Sequence, residues 1–217
     1  MKTIYIETRR KFNDSEINLK VLDNLPGKTI SLAATIQYIG LIPKIKDYLE
    51  KKGKKVIVKK GAKYKGHVLG CNSNALDKNA DTIILITDGR FHAINNAIQL
   101  QREISVFNTK TLEKVTKEEI DLYNNRTKAK KAKFLSSNHI GLLISNKPGQ
   151  KAKNIGKIKK QIEKLEKKVY IFESNNISMG ELENFPNIDI WINTACFGLA
   201  RDDSRIINLS DIIEFLK

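Results

Sequence analysis

The stretch "KTISLAATIQYIGLIPKIKDYLEKKGKKVIV", Lys28–Val58, decides the fold. Ile30–Ala33 is a short apolar run, and a turn carrying Gln37 follows it. Ile36, Ile39, Ile42, Ile45 and Leu49 then recur at intervals of three and four, one stripe of an amphipathic helix. Lys-Lys-Val restores an apolar run over Lys55–Val58. Strand, helix, strand is the crossover that joins parallel neighbours in a sheet. The plan returns in "HIGLLISNKPGQKAKNIGKIKKQIEKLEKKVYIF", His139–Phe172, with strands at Ile140–Ser145 and Val169–Phe172 and a stripe at Ile155, Ile158, Ile162 and Leu165.

A second pair of stretches repeats as well. "ADTIILITDGRFH" (Ala80–His92) and "NIDIWINTACFGL" (Asn187–Leu199) share an acidic start, an apolar strand and a loop containing glycine. Two similar units therefore lie in tandem. The expected fold class is α/β, two tandem small parallel-sheet α/β units with flanking helices, over residues 1–118 and 119–217. The helix of "EEIDLYNNRTKAKKAKFL" opens the second unit and is expected to pack the two together. Further strands are expected near Thr3–Glu7, His67–Leu69, Thr82–Thr87, Ser105–Asn108 and Ile188–Asn193. A short last helix, N-capped by Ser210, runs to Leu216.

Composition narrows the function. No apolar stretch reaches the ~18–20 residues of a membrane span, and the charged start "MKTIYIETRR" does not read as a secretory signal, so a cytoplasmic protein is expected. Two cysteines in 217 residues are no disulfide framework, and a reducing compartment keeps them as thiols. The net charge of +15 comes mostly from lysines spread along helices, without interleaved aromatics. Such lysines read as a solvated face, so direct nucleic-acid binding is not expected.

Ligands of parallel α/β units sit beyond the carboxyl ends of the strands. Thr35–Gln37, Cys71, Asp88–His92, Lys147–Gln150 and Cys196 fall in loops of that kind. Each also has an ordinary reading. A lone cysteine after an apolar strand is commonly a buried small hydrophobe, Gln37 can cap a helix, and Asp88 can close a structural turn. A zinc site is excluded because His67, His92 and His139 lie far apart and no C-x-x-C accompanies them. Cysteine–histidine catalysis through His92 has no local signature. "KPGQKAKNIGK" lacks the spacing of a phosphate-binding loop. Distant cysteines suit an iron–sulfur cluster, for which two thiolates alone are too few.

"GHVLGCNSN", "TDGRFHAINNAI", "LLISNKPGQ" and "INTACFGLA", in this order and with "AATIQY" upstream, resemble the diphthamide synthesis family, the 2-(3-amino-3-carboxypropyl)histidine synthases of archaea and eukaryotes. The resemblance covers the chain from Thr3 onward. It implies a three-unit enzyme in which each unit gives one cysteine to a 4Fe-4S cluster. It further implies a radical reaction, in which the 3-amino-3-carboxypropyl group of S-adenosylmethionine passes to a histidine of elongation factor 2. Cys71 and Cys196 then match the cysteines of the second and third units as cluster ligands.

Under the same resemblance Gln37, Asp88, His92 and Gln150 are candidates for binding S-adenosylmethionine. Arg90 is a candidate carboxylate fork or a surface ion-pair partner. Gly66 and Gly70 would allow close approach of backbone to the cluster, and Asn72 and Ser73 would donate to its sulfurs. The family's first unit and its cysteine have no counterpart here, which leads us to expect a split enzyme, oligomeric, whose partner chain supplies them. Two alternatives stay open at this point: a non-catalytic paralogue that supports a complete synthase, and a basic translation-associated binding module whose affinity falls steeply with salt.

Overall fold

The computed structural model describes residues 4 and 6–216. The chain divides into two compact units, Met1–Asp121 and Leu122–Lys217, each with its own sheet.

In the first unit, β1 (Thr29–Ala34) leads through a 3-10 turn (Ile36–Leu41) into α1 (Ile42–Lys51) and β2 (Lys55–Ile57). β3 (Thr82–Ile86), α2 (Phe91–Leu100), β4 (Ile104–Phe107) and β5 (Leu112–Val115) follow. The sheet order is β2-β1-β3-β4-β5, parallel throughout except for β5, which runs antiparallel to β4. The division between the units falls within α3 (Lys117–Ser136).

The second unit repeats the pattern with β6 (His139–Ser145), α4 (Ile155–Glu163), β7 (Lys168–Ser174), α5 (Met179–Leu182), β8 (Ile190–Asn193), α6 (Leu199–Asp202), β9 (Ile206–Asn208) and α7 (Leu209–Ile212). Its order, β7-β6-β8-β9, is parallel throughout. In both sheets the first strand is flanked by the second on one side and the third on the other. The chain thus reverses its direction of winding between β1 and β3, and again between β6 and β8, and that reversal opens a crevice at the carboxyl ends of the strands.

Alternation along each central strand feeds two cores. Ile30, Leu32 and Ala34 pack with Ile84, Ile86 and the α1 stripe of Ile42, Ile45 and Leu49, while Ala33, Ile83 and Leu85 face Ala93 and Ala97 of α2 on the other side. In the second unit Ile140, Leu142, Ile190 and Ile192 meet Phe134 and Ile162, and Leu143 and Trp191 form the opposite cluster with Leu182. Strands covered on both faces read as unbroken apolar runs, which is why these segments were so legible.

The repeated acid has a common job. Asp81, just before β3, accepts from the N–H groups of Lys28 and Thr29 at 2.9 and 2.8 Å and from the Thr29 hydroxyl at 2.8 Å. Asp189, just before β8, accepts from the N–H groups of Asn138 and His139 at 2.9 and 2.8 Å. Each carboxylate joins the start of the third strand of its unit to the start of the first, and these hydrogen bonds hold both acids below their usual pKa.

Several expectations need correction. Thr3 and Tyr5 lie outside the described residues, and Ile4, Ile6 and Glu7 are in no strand, with Ile4 and Ile6 79% and 88% exposed. His67–Leu69 is no ladder strand: His67 makes one parallel bridge to Ala34, and Leu69 turns back onto Asn72. The stripe from Ile36 to Leu49 is a 3-10 turn followed by α1, because Pro43 has no N–H to give and settles in the first turn of a helix. Ser210 lies inside α7, whose N-cap is Asn208. β5 escaped the sequence reading because only Leu112 and Val115 of its four residues are apolar. It forms because the Asn108 carboxamide accepts from the N–H groups of Lys110 and Thr111, at 3.0 and 2.8 Å, and closes a tight turn after β4.

Candidate functional site

Cys71 sits at the tip of a two-residue turn. Leu69 and Asn72 exchange backbone hydrogen bonds of 3.3 and 3.2 Å around Gly70 and Cys71, leaving the thiol exposed. The later turns of α2 hold this tip. The Asn96 carboxamide donates to the Leu69 carbonyl at 3.0 Å and to its own helix at the His92 carbonyl at 2.7 Å, and Gln99 donates to the Gly70 carbonyl at 2.9 Å. A side chain on Gly70 would stand 3.1 Å from the Phe91 ring, so this glycine serves the close approach of α2. Gly66, with φ +77°, lies where a Cβ would strike Ile42 at 2.4 Å, and the core explains it equally well.

The other first-unit candidates gather at the same end of the sheet. Asp88 is exposed after β3, close enough to Tyr38 that burial and then the carboxylate push the phenol's pKa up. Gln37 is exposed in the turn after β1, its carbonyl accepting from the Arg10 N–H at 3.0 Å. His92 belongs to the first turn of α2, half-buried, its ring 5.5 Å from Phe91. Arg90 is a surface ion-pair partner: its guanidinium reaches both carboxylate oxygens of Glu119 at 2.7 Å and Glu113 at 3.3 Å. Asn72 uses its carboxamide oxygen on the Asn74 N–H at 3.0 Å.

His67 is one of three histidines that lie far apart in the sequence. It is 6% exposed, and neither ring nitrogen has a hydrogen-bond partner among the described residues. Burial lowers its pKa, and burial with His67 nearby lowers that of His92. Both rings are therefore neutral at pH 7. Below the ordinary value of 6.5 the unfolded chain takes up protons that the folded unit refuses, so stability is full above that pH and falls as acid is added. Unfolding by urea at pH 7.5 and 5.5 should show a lower midpoint at the lower pH, with the difference smaller in His67→Phe. Equal midpoints at the two pH values would refute this.

In the second unit, Cys196 lies in the loop between β8 and α6 and is half-buried. Gln150 is exposed in a turn after β6, its N–H donating to the Lys147 carbonyl at 3.0 Å. β6 and β8 are neighbours, so both positions share the carboxyl edge of one sheet. Cys71 and Cys196 belong to different units. They also follow different strands: the first-unit position corresponding to Cys196, seven residues past the clasping aspartate, holds Asp88. Neither thiol is in the core, contrary to the small-hydrophobe reading. Among the described residues no three histidine, cysteine or acidic side chains converge as a metal site, so each unit offers one soft sulfur ligand and no more. One sulfur donor in each unit makes no self-contained zinc or calcium site.

The sequence matches the family model of diphthamide synthesis proteins over residues 1–206. The chain belongs to the diphthamide synthesis family. Its relatives in that family include the 2-(3-amino-3-carboxypropyl)histidine synthase of Methanocaldococcus jannaschii, 26% identical over 94% of this chain and 57% of the relative. Subunit 1 of the Schizosaccharomyces pombe synthase is 27% identical over 93% of this chain and 49% of the relative. The chain thus spans about half the length of the curated relatives it matches. The crystal structure of Dph2 from Pyrococcus horikoshii with a 4Fe-4S cluster shares the fold, with a TM-score of 0.74, 23% identity and coverage of 88% of this chain and 57% of the other. No helix of the described residues is long and apolar enough to cross a membrane.

Proposed function

We propose that this member of the diphthamide synthesis family is one subunit of a split 2-(3-amino-3-carboxypropyl)histidine synthase. In this reading it helps transfer the 3-amino-3-carboxypropyl group of S-adenosylmethionine to a histidine of elongation factor 2. The observation that carries it is the placement of the only two cysteines: both outside the cores, each at the carboxyl end of its own unit's sheet, and each on a short loop whose carbonyls are tied down. A bound 4Fe-4S cluster would supply the electron for a radical cleavage of the cofactor's carbon–sulfur bond. The chain's own part is to hold and orient. Cys71 and Cys196 would ligate iron, and a third cysteine would come from outside these 217 residues, in our reading from a separate polypeptide. Asp88 can pair with the amino group of S-adenosylmethionine, and the carboxamides of Gln37 and Gln150 can donate to its carboxylate. His92, neutral at pH 7, can accept or donate one hydrogen bond without adding charge.

Anaerobic reconstitution with iron and sulfide tests this, with and without the host polypeptide that carries the remaining unit. The expected result is a 4Fe-4S paramagnetic signal after reduction, seen only with the second chain and altered by S-adenosylmethionine, together with modification of elongation factor 2. No cluster in either mixture would overturn the proposal and leave a non-catalytic paralogue.

A further inference from the structure

We infer that four carboxamides, those of Asn96, Gln99, Asn193 and Asn208, are positioning residues that fix each cysteine's loop within its own unit, so that the thiol is presented as an iron ligand. The inference rests on the functional reading above.

It begins with an oddity at the ends of two strands. β8 and β9 are apolar, Ile-Trp-Ile and Ile-Ile, yet each closes on an asparagine, and these are 2% and 3% exposed. Burying an amide is unfavourable unless its hydrogen-bonding groups are satisfied. Asn193 and Asn208 face each other in register, and the Asn193 Nδ2 donates to the Asn208 Oδ1 at 2.8 Å. Asn208 also hydrogen-bonds with Tyr123 and Asp211, and both asparagines reach the cysteine loop. Asn193 Nδ2 donates to the Cys196 carbonyl at 2.8 Å, Asn193 Oδ1 accepts from the Ala195 N–H at 2.9 Å, and Asn208 Nδ2 donates to the Phe197 carbonyl at 3.3 Å. Three consecutive residues, Ala195 to Phe197, are held by two side chains that are themselves locked in the sheet.

The first unit reaches the same end with different parts. There Asn96, wholly buried in α2, donates to the Leu69 carbonyl, and Gln99 donates to the Gly70 carbonyl, directly before Cys71. In both units a carboxamide donor takes up a backbone carbonyl at or beside the cysteine. Those carbonyls are thereby engaged within the protein. Apolar residues would close the cores as well, so packing alone does not account for carboxamides at these positions. A ligand loop built on such rigid supports presents its sulfur with little freedom.

The test uses the full chain, metal-free and then reconstituted with the partner polypeptide. In a Cys71→Ser background only Cys196 reacts with iodoacetamide, and its rate is measured against pH with and without Asn193→Asp, which keeps the acceptor oxygen and removes the donor. Loss of the donor should raise the plateau rate roughly 5- to 10-fold, the size expected for one hydrogen bond. Should Asn193→Asp fail to fold, Gln99→Ala serves in its place. Gln99 is exposed, and its loss should lower bound iron several-fold and shift the g-values of the reduced signal, with thermal unfolding unchanged. Unchanged alkylation in a folded Asn193→Asp protein, or wild-type iron content and g-values in Gln99→Ala, would overturn the inference. If wild type itself takes up no iron, the functional reading fails, and the alkylation comparison in the metal-free chain still decides this inference.

Discussion

Cys71→Ala and Cys196→Ala should each lower the iron bound by the reconstituted assembly at least about 10-fold and abolish modification of elongation factor 2, because a cluster deprived of one protein thiolate is held far more weakly. The same substitutions should leave folding nearly untouched, and that contrast makes them decisive. Cys71 is exposed on its turn and Cys196 is half-buried, and neither belongs to a hydrophobic cluster. Surface substitutions of this kind change stability by about 0.5 kcal/mol or less. Iron content and thermal unfolding, measured on the same preparations, separate the two roles. Loss of iron with an unchanged unfolding transition supports ligation by thiols. Equal iron in wild type and both variants would refute it.

The largest effects on stability are expected at Gly141 and Trp191. Gly141 lies in the middle of β6, beside Trp191 of β8 in the pairing register. A methyl group there would stand 2.2 Å from the indole Cε3 and 2.5 Å from Cζ3. The indole has no room to yield. It is 2% exposed, and Phe172 and Phe185 meet it edge-on at 4.7 and 6.1 Å. Gly141→Ala should therefore cost about 2–3 kcal/mol through overpacking. Trp191→Ala, which empties the same space, should cost about 3–5 kcal/mol. Trp191 is the only tryptophan, so the fluorescence of the Gly141→Ala protein reports on the second unit alone. Its urea midpoint should fall well below that of wild type. Coincident midpoints would show that the ring retreats at little cost.

Much of this architecture was legible in the residues. The apolar runs of β1, β3, β6 and β8, built from Ile, Leu, Ala and Trp, are buried on both faces, and the stripes of α1 and α4 have clear helical spacing, so period and composition point to the elements observed. β5 and β9 were missed because a strand of three or four residues at a sheet edge, with charged or polar members, carries almost no periodic signal. The first turn of α2 carries no clear helical signal in the residues, because the glycine of "DGRFH" is a stronger local cue than the helical spacing that follows it. The site was legible only in part. Cysteines announce themselves by rarity, and Asp88 and Gln37 by lying after apolar strands. His67, Asn96, Asn193 and Asn208 matter because of what surrounds them, and a buried histidine or asparagine looks in sequence like any other. The one available cue was an asparagine ending an otherwise apolar strand, as in "IWIN" and "IIN".

The paired aspartates, Asp81 and Asp189, form a seam. Two sheets of like strand order, each stitched at the same corner by an acid ahead of its third strand, use one fastening twice. Seven residues downstream of the stitch the two units differ, with a carboxylate at Asp88 in one and a thiol at Cys196 in the other. The seam is common to both units, and the reactive group is not.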